Sequence, residues 1–179
     1  CIRDRPQVAP GLNTVGVMLP YTGIHLLLLL RLGEPAVIMT SGNRTGLPMA
    51  ISNEAALREL SGIADYFLVH NREIVSRCDD SVVAIVGGRP TFLRRSRGYV
   101  PEPVDLPFDG GGRALVALGA ELRNAGAVAY RGRCALTQYI GDTDNYETLR
   151  FLREAVLRLL ELRGAGRRPE VGACDLHPT

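Results

Sequence analysis

Residues 98–112 hold three prolines and four glycines with no apolar periodicity. Neither a long helix nor a central strand can run through such a stretch, because proline removes an amide donor and fixes φ while glycine carries a high ordering entropy. The fold must therefore be built on either side of it, and the reading is residues 1–98 as one domain, 99–112 as a linker and 113–179 as the start of a second domain. A chain of 179 residues has room for two small domains, and 46% hydrophobic with 22% charged residues is a globular composition.

Before the break, residues 14–20 read as a strand, about 22–32 as a helix and 36–40 as a second apolar strand, a β-α-β opening. Ser52 can cap a helix through Leu60 with Glu54 in its first turn, and residues 65–70 read as a strand. Residues 81–86 and 90–94 are β-rich runs joined by Gly87-Gly88, a hairpin signature. Past the break, residues 114–118, 125–130 and 134–140 read as strands. Asp144 with Glu147 makes a capping-box pattern before a long helix whose apolar face carries Leu149, Leu152, Val156, Leu159 and Leu160. Residues 171–175 read as a last strand. The fold class is mixed α/β, with a β-β-β-α-β order in the second part.

All 21 cationic residues are arginine. With no lysine there is neither Schiff-base chemistry nor a Walker-type phosphate lysine, so phosphate must be met by arginine, backbone amides or metal. A genome that favours arginine codons accounts for the same fact without function. The net charge of +2 gives no basic stripe of the kind a nucleic-acid surface needs. Cys1, Cys78, Cys134 and Cys174 form no C-x-x-C pair and fit small apolar positions in a reducing cytoplasm. The apolar run at 24–30 falls far short of the roughly 20 residues of a membrane span. No signal-peptide pattern is seen, and a start at Cys1 suggests a piece of something longer.

Three clusters have chemical potential. Met39-Thr40-Ser41-Gly42-Asn43-Arg44-Thr45-Gly46-Leu47-Pro48 follows an apolar run, where glycine lets backbone amides approach an oxyanion; the same residue types also make ordinary turns. Arg94-Arg95-Ser96-Arg97 ends a strand, with alternation placing Arg95 and Arg97 on one face, as a phosphate clamp or as a solvated face. Asp79-Asp80-Ser81 suits magnesium or nucleotide positioning, and equally a polar turn. His25 is read as a packing residue or, less simply, as a proton-transfer group.

Taken in order, residues 14–22, 39–48, 77–83 and 93–101 resemble the successive motifs of a YrdC-like domain. Leu118-Gly119-Ala120-Glu121-Leu122-Arg123-Asn124, Gln138-Tyr139-Ile140-Gly141-Asp142, Glu147-Thr148-Leu149 and Cys174-Asp175-Leu176-His177-Pro178 are similar to the opening of the transferase domain of the HypF carbamoyltransferases, an actin/sugar-kinase-like (ASKHA) fold. The resemblance covers nearly the whole chain. It implies an enzyme that forms carbamoyl adenylate from carbamoyl phosphate and ATP with magnesium as substrate, and passes the carbamoyl group to the C-terminal cysteine of the partner HypE for the cyanide ligand of nickel-iron hydrogenases. By the same resemblance Thr40, Ser41, Gly42 and Asn43 hold phosphates and acyl group, with Ser81 and Arg95 or Arg97 completing the site.

Cysteine usage and the short apolar run point to a soluble cytoplasmic protein with no membrane partner, and the resemblance puts zinc and the transferase-domain metal outside this chain, which alone is not expected to complete carbamoyl transfer. The competing readings are a threonylcarbamoyl-adenylate synthase of tRNA modification and a non-catalytic double-stranded-RNA-binding module. The synthases usually carry arginine where this chain has Met18, and a thioether cannot pair with a threonine carboxylate, so a smaller uncharged acyl group fits better.

Overall fold

The computed structural model describes residues 8–163 and 168–176. Its contacts divide the chain into two compact units, one up to Thr40 and one from Ser41.

In the first unit helix α1 spans Gly23–Leu32. The Thr22 hydroxyl accepts from the His25 amide at 3.2 Å, and Gly33, in the left-handed region at φ 69°, ends the helix by donating to the Leu29 carbonyl. Residues 14–20 and 36–40, expected as strands, form no ladder. Their composition is that of strands, but ladder bonds must come from a neighbour, and none is present among the described residues; Val17 and Leu19 are both exposed. Residues 65–70 in the second unit fail in the same way.

The second unit opens with the Ser41 loop and helix α2, Asn53–Leu60, capped as expected by Ser52, which accepts from the Ala55 amide at 3.1 Å. Strands β1 (Val82–Val86) and β2 (Arg89–Arg94) form an antiparallel hairpin through Gly87 and Gly88, both at positive φ, the backbone a two-residue hairpin turn demands.

A five-stranded sheet follows in the order β3-β6-β5-β4-β7, from β3 (Val104–Asp105), β4 (Leu115–Ala117), β5 (Ala127–Tyr130), β6 (Arg133–Leu136) and β7 (Val171–Ala173). Strands β4, β5 and β6 make an antiparallel meander, and β7 returns parallel to β4 after helix α3, Tyr146–Arg163. Strand β3 was not foreseen: it lies inside the proline-rich stretch and exists through its pairing with β6.

Helix α3 buries Thr148, Phe151, Leu152, Ala155, Val156, Leu159 and Leu160, spacings of three and four that make a single stripe. The stripe packs on β5 and β6 around Val128 and Ala135 and forms the core. Two sequence expectations shift here. Leu149 points away and is 52% exposed. Capping falls to Asn145 rather than Asp144, because the Asn145 side chain accepts from the Thr148 amide at 2.9 Å and its carbonyl takes the first helical bond, from Leu149.

Candidate functional site

The Ser41 loop is braced from within. The Asn43 amide nitrogen donates to the carbonyls of Leu47 (2.9 Å) and Arg44 (3.0 Å), and the Asn43 backbone N–H donates to the Ser41 carbonyl. Leu47 N–H closes a turn on the Arg44 carbonyl, with Gly46 at φ 76° in its third position, where a side chain would be strained. The Gly42 carbonyl accepts from Ala50. These bonds leave Ser41 and Gly42 exposed at the loop's front while Asn43, half-buried, holds its shape. Thr40 is exposed and closes the first unit.

The strand-end cluster is built differently from its sequence expectation. Strand β2 stops at Arg94, so the alternation that would place Arg95 and Arg97 on one face does not extend to them. Arg97 instead bridges in parallel to Asp80, its guanidinium meeting the Asp80 carboxylate at 3.3 Å and the Cys78 carbonyl at 2.8 Å. Ser81 ties the two strand ends: its hydroxyl donates to the Arg97 carbonyl (2.9 Å) and accepts from the Ser96 amide (2.8 Å). Arg95 donates to the Glu102 carbonyl at 3.0 Å and keeps its other terminal nitrogen, Nη1, buried with no hydrogen-bond partner among the described residues. A buried cationic nitrogen lacking an acceptor is costly, and an anion is its natural complement.

Asp79 and Asp80 are both engaged by arginine, Asp79 through Arg94 at 2.6 Å. Among the described residues no group of three or more histidine, cysteine, aspartate or glutamate side chains is placed to hold a metal ion. Burial pushes the Cys134 thiol above its ordinary value, which makes it a poor nucleophile at neutral pH. In the first unit the His25 ring meets Tyr21 edge-on at 4.9 Å, with Nδ1 buried and without a hydrogen-bond partner among the described residues.

Several side chains join the loop and the hairpin to helix α3 and to the segment after β6. Arg77 donates to the Met49 carbonyl at 2.6 Å, lies over the Phe151 ring at 5.1 Å and faces Glu154 at 3.8 Å. Its pKa is lowered by desolvation, with Glu154 pulling the other way, as suits a half-buried guanidinium used as a bolt. Arg94 stacks on Tyr139 at 4.4 Å, and Gln138 donates to the Ser76 hydroxyl. Asn145 Nδ2 donates to the Gly46 carbonyl at 3.0 Å. The one available signal was that Arg77, Gln138 and Tyr139 sit in motifs already singled out; nothing local marked Asn145.

The turn around Asn124 is equally tied. Asn124, 3% exposed, donates its amide to the Leu118 and Ala120 carbonyls, and its backbone pairs with Gly141 and Ile140. Residues 118–124 and 138–142 are thereby laced into one structure.

Comparison with known proteins gives the following matches. The Sua5/YciO/YrdC family model, described as "Telomere recombination", matches residues 3–96, and the model of the HypF Kae1-like domain matches residues 111–179. The chain is 48% identical to the probable carbamoyltransferase HypF of Methanocaldococcus jannaschii, over 94% of this chain and 21% of that protein. It is 46% identical to the carbamoyltransferase HypF of Rhizobium leguminosarum bv. viciae, over 96% of this chain and 23% of that one. The crystal structure of T. kodakarensis HypF superimposes with a TM-score of 0.89 at 45% identity, covering 97% of this chain and 22% of that chain. A full-length HypF in its phosphate- and nucleotide-bound form gives 0.83 at 37%, covering 93% and 26%. The chain thus spans between a fifth and about a quarter of the length of these relatives.

Proposed function

Because the chain belongs to the HypF family, with a YrdC-like part followed by a Kae1-like part, we propose that it supplies the adenylate-forming loop of an ATP-dependent carbamoyltransferase together with the first strands of the transferase domain. The observation that carries this reading is the pairing of the two matched segments in one chain, with the Ser41 loop braced while Ser41 and Gly42 stay exposed. The relative solved with phosphate and nucleotide supports a nucleotide as ligand.

In the proposed reaction water first hydrolyses carbamoyl phosphate to carbamate and inorganic phosphate, and an oxygen of that carbamate attacks the α-phosphorus of ATP. The bond to the β,γ-diphosphate breaks, leaving carbamoyl adenylate and pyrophosphate. A carbamate is a weak nucleophile, so the protein's contribution is alignment and neutralisation of charge on the α-phosphate. The Ser41 hydroxyl and the exposed backbone at Ser41 and Gly42 approach the phosphates, and Arg95 supplies a cation whose Nη1 has no hydrogen-bond partner among the described residues. Ser81 and Arg97 act as supports that fix the strand ends rather than as ligands. Magnesium enters with ATP as part of the substrate. The sulfur of the C-terminal cysteine of HypE then takes the carbamoyl group in the cytoplasm, the C–O bond to the adenylate breaks and AMP and the thiol proton leave, toward a cyanide ligand.

Titration calorimetry of ATP with magnesium into the chain tests the loop. Ser41→Ala is expected to weaken binding about tenfold, the lower end for one hydrogen bond to a charged group. Unchanged affinity in the variant, or no binding by the unaltered chain, would contradict the assignment.

A further inference from the structure

Gly46 is the point where the loop proposed to hold nucleotide touches the transferase part of the chain. Its carbonyl accepts from Asn145 Nδ2 at 3.0 Å, and the Thr148 hydroxyl oxygen lies 3.4 Å from it. Both residues lie at the first turn of α3, the helix whose buried stripe builds the core. Asn145 divides its amide: Oδ1 caps the helix by accepting from the Thr148 amide and hydroxyl, both at 2.9 Å, while Nδ2 reaches the loop and also donates to the Asp144 carboxylate at 3.2 Å. On the loop side the turn is stiff, since Asn43 holds Leu47 and Arg44 from inside it. A displacement of Ser41–Asn43 is therefore handed through the Arg44–Leu47 turn to the Gly46 carbonyl and on to the helix cap.

We propose that Asn145 is a positioning residue for the adenylate-forming loop and that, with Thr148, it couples occupancy of that loop to the first turn of the transferase helix. The inference rests on the nucleotide reading given above. Coupling between two binding or ordering events is reciprocal, so ligand in the loop must steady the helix start by the same factor by which an intact latch tightens ligand binding. That is how a reaction in two stages on one chain would register at its second stage that the first has begun.

The two halves of the Asn145 amide allow the latch to be cut without uncapping the helix. Asn145→Asp keeps an oxygen for the Thr148 amide, and aspartate caps about as well as asparagine, but it replaces the donor to Gly46 with an acceptor. The experiment is hydrogen exchange of the whole chain with and without ATP and magnesium, read on peptides spanning 41–47 and 146–150, with thermal melting as a check on folding. In the unaltered chain both peptides are expected to exchange more slowly with ATP. In Asn145→Asp, with an unchanged melting temperature, the slowing at 146–150 disappears, 41–47 still responds, and ATP affinity falls about fivefold. Thr148→Val is expected to reduce the response at 146–150 only in part. Equal responses at 146–150 in Asn145→Asp and the unaltered chain would overturn the coupling. So would protection confined to 41–47 in the unaltered chain, an outcome that leaves the nucleotide reading intact. Protection at neither peptide would sink the nucleotide reading, and the coupling with it.

Discussion

Replacing Phe151 with alanine is expected to destabilise the second unit by about 3–5 kcal/mol, the range for emptying a large aromatic from a packed core. Phe151 is 6% exposed and sits in the stripe with Leu152, Ala155 and Val156 against β5 and β6. Its ring also carries the Arg77 guanidinium, which in turn holds the Met49 carbonyl behind the Ser41 loop. The damage should therefore spread from the core to the loop. Urea denaturation measures it as a lower midpoint with the slope retained. Leu149→Ala is the control, because Leu149 is half-exposed on the same helix and its loss should change stability by no more than about 0.5 kcal/mol. Similar costs for the two would mean that the helix is rotated from the face described.

The second large effect is expected at Gly126, where helix and sheet meet with no room for a side chain. A Cβ there would lie 2.6 Å from Val156 Cγ2, 3.3 Å from Leu152 Cδ1 and 3.4 Å from the Ala117 carbonyl oxygen. Val156 cannot turn aside easily, since a β-branched residue in a helix has essentially one rotamer. Gly126→Ala should cost about 2–3 kcal/mol by overpacking. The decisive measurement is a double-mutant cycle with Val156→Ala. If the contact is the cause, the pair should be less destabilised than the sum of the singles by about 1 kcal/mol or more; strict additivity would place the damage elsewhere.

The parts of the fold that were legible are those whose code is local. Gly87-Gly88 between two β-rich runs specified the β1–β2 hairpin, and spacings of three and four specified α3. The stripe itself was read one position off at Leu149, since leucine on a half-exposed flank looks the same in sequence as leucine in the core. Residues 14–20, 36–40 and 65–70 have strand composition, but a ladder depends on a partner that composition does not name. Strand β3 shows the converse, two residues in a proline-rich stretch made into a strand by β6.

The candidate site was legible to a similar degree. The Ser41 loop stood out by residue type, and its internal bracing by Asn43 agrees with the turn-forming chemistry of asparagine. Strand alternation was extended past the strand's actual end at Arg94, while Arg95 or Arg97 entered the site by the family resemblance; Arg97 ties Asp80 and the Cys78 carbonyl. The Arg77 bolt and the Asn145 latch were invisible because each depends on contacts far along the chain, from Arg77 to Phe151 and from Asn145 to Gly46.

The central claim is that this chain contributes an adenylate-forming loop to carbamoyl transfer. It is tested most directly by ATP–pyrophosphate exchange in a full-length HypF protein carrying this sequence in place of its own segment. The expected result is exchange that depends on carbamoyl phosphate and falls at least about tenfold with Ser41→Ala, consistent with the loss of one charge-assisted hydrogen bond at the α-phosphate. Exchange that proceeds equally without carbamoyl phosphate, or that is indifferent to Ser41→Ala, would contradict it.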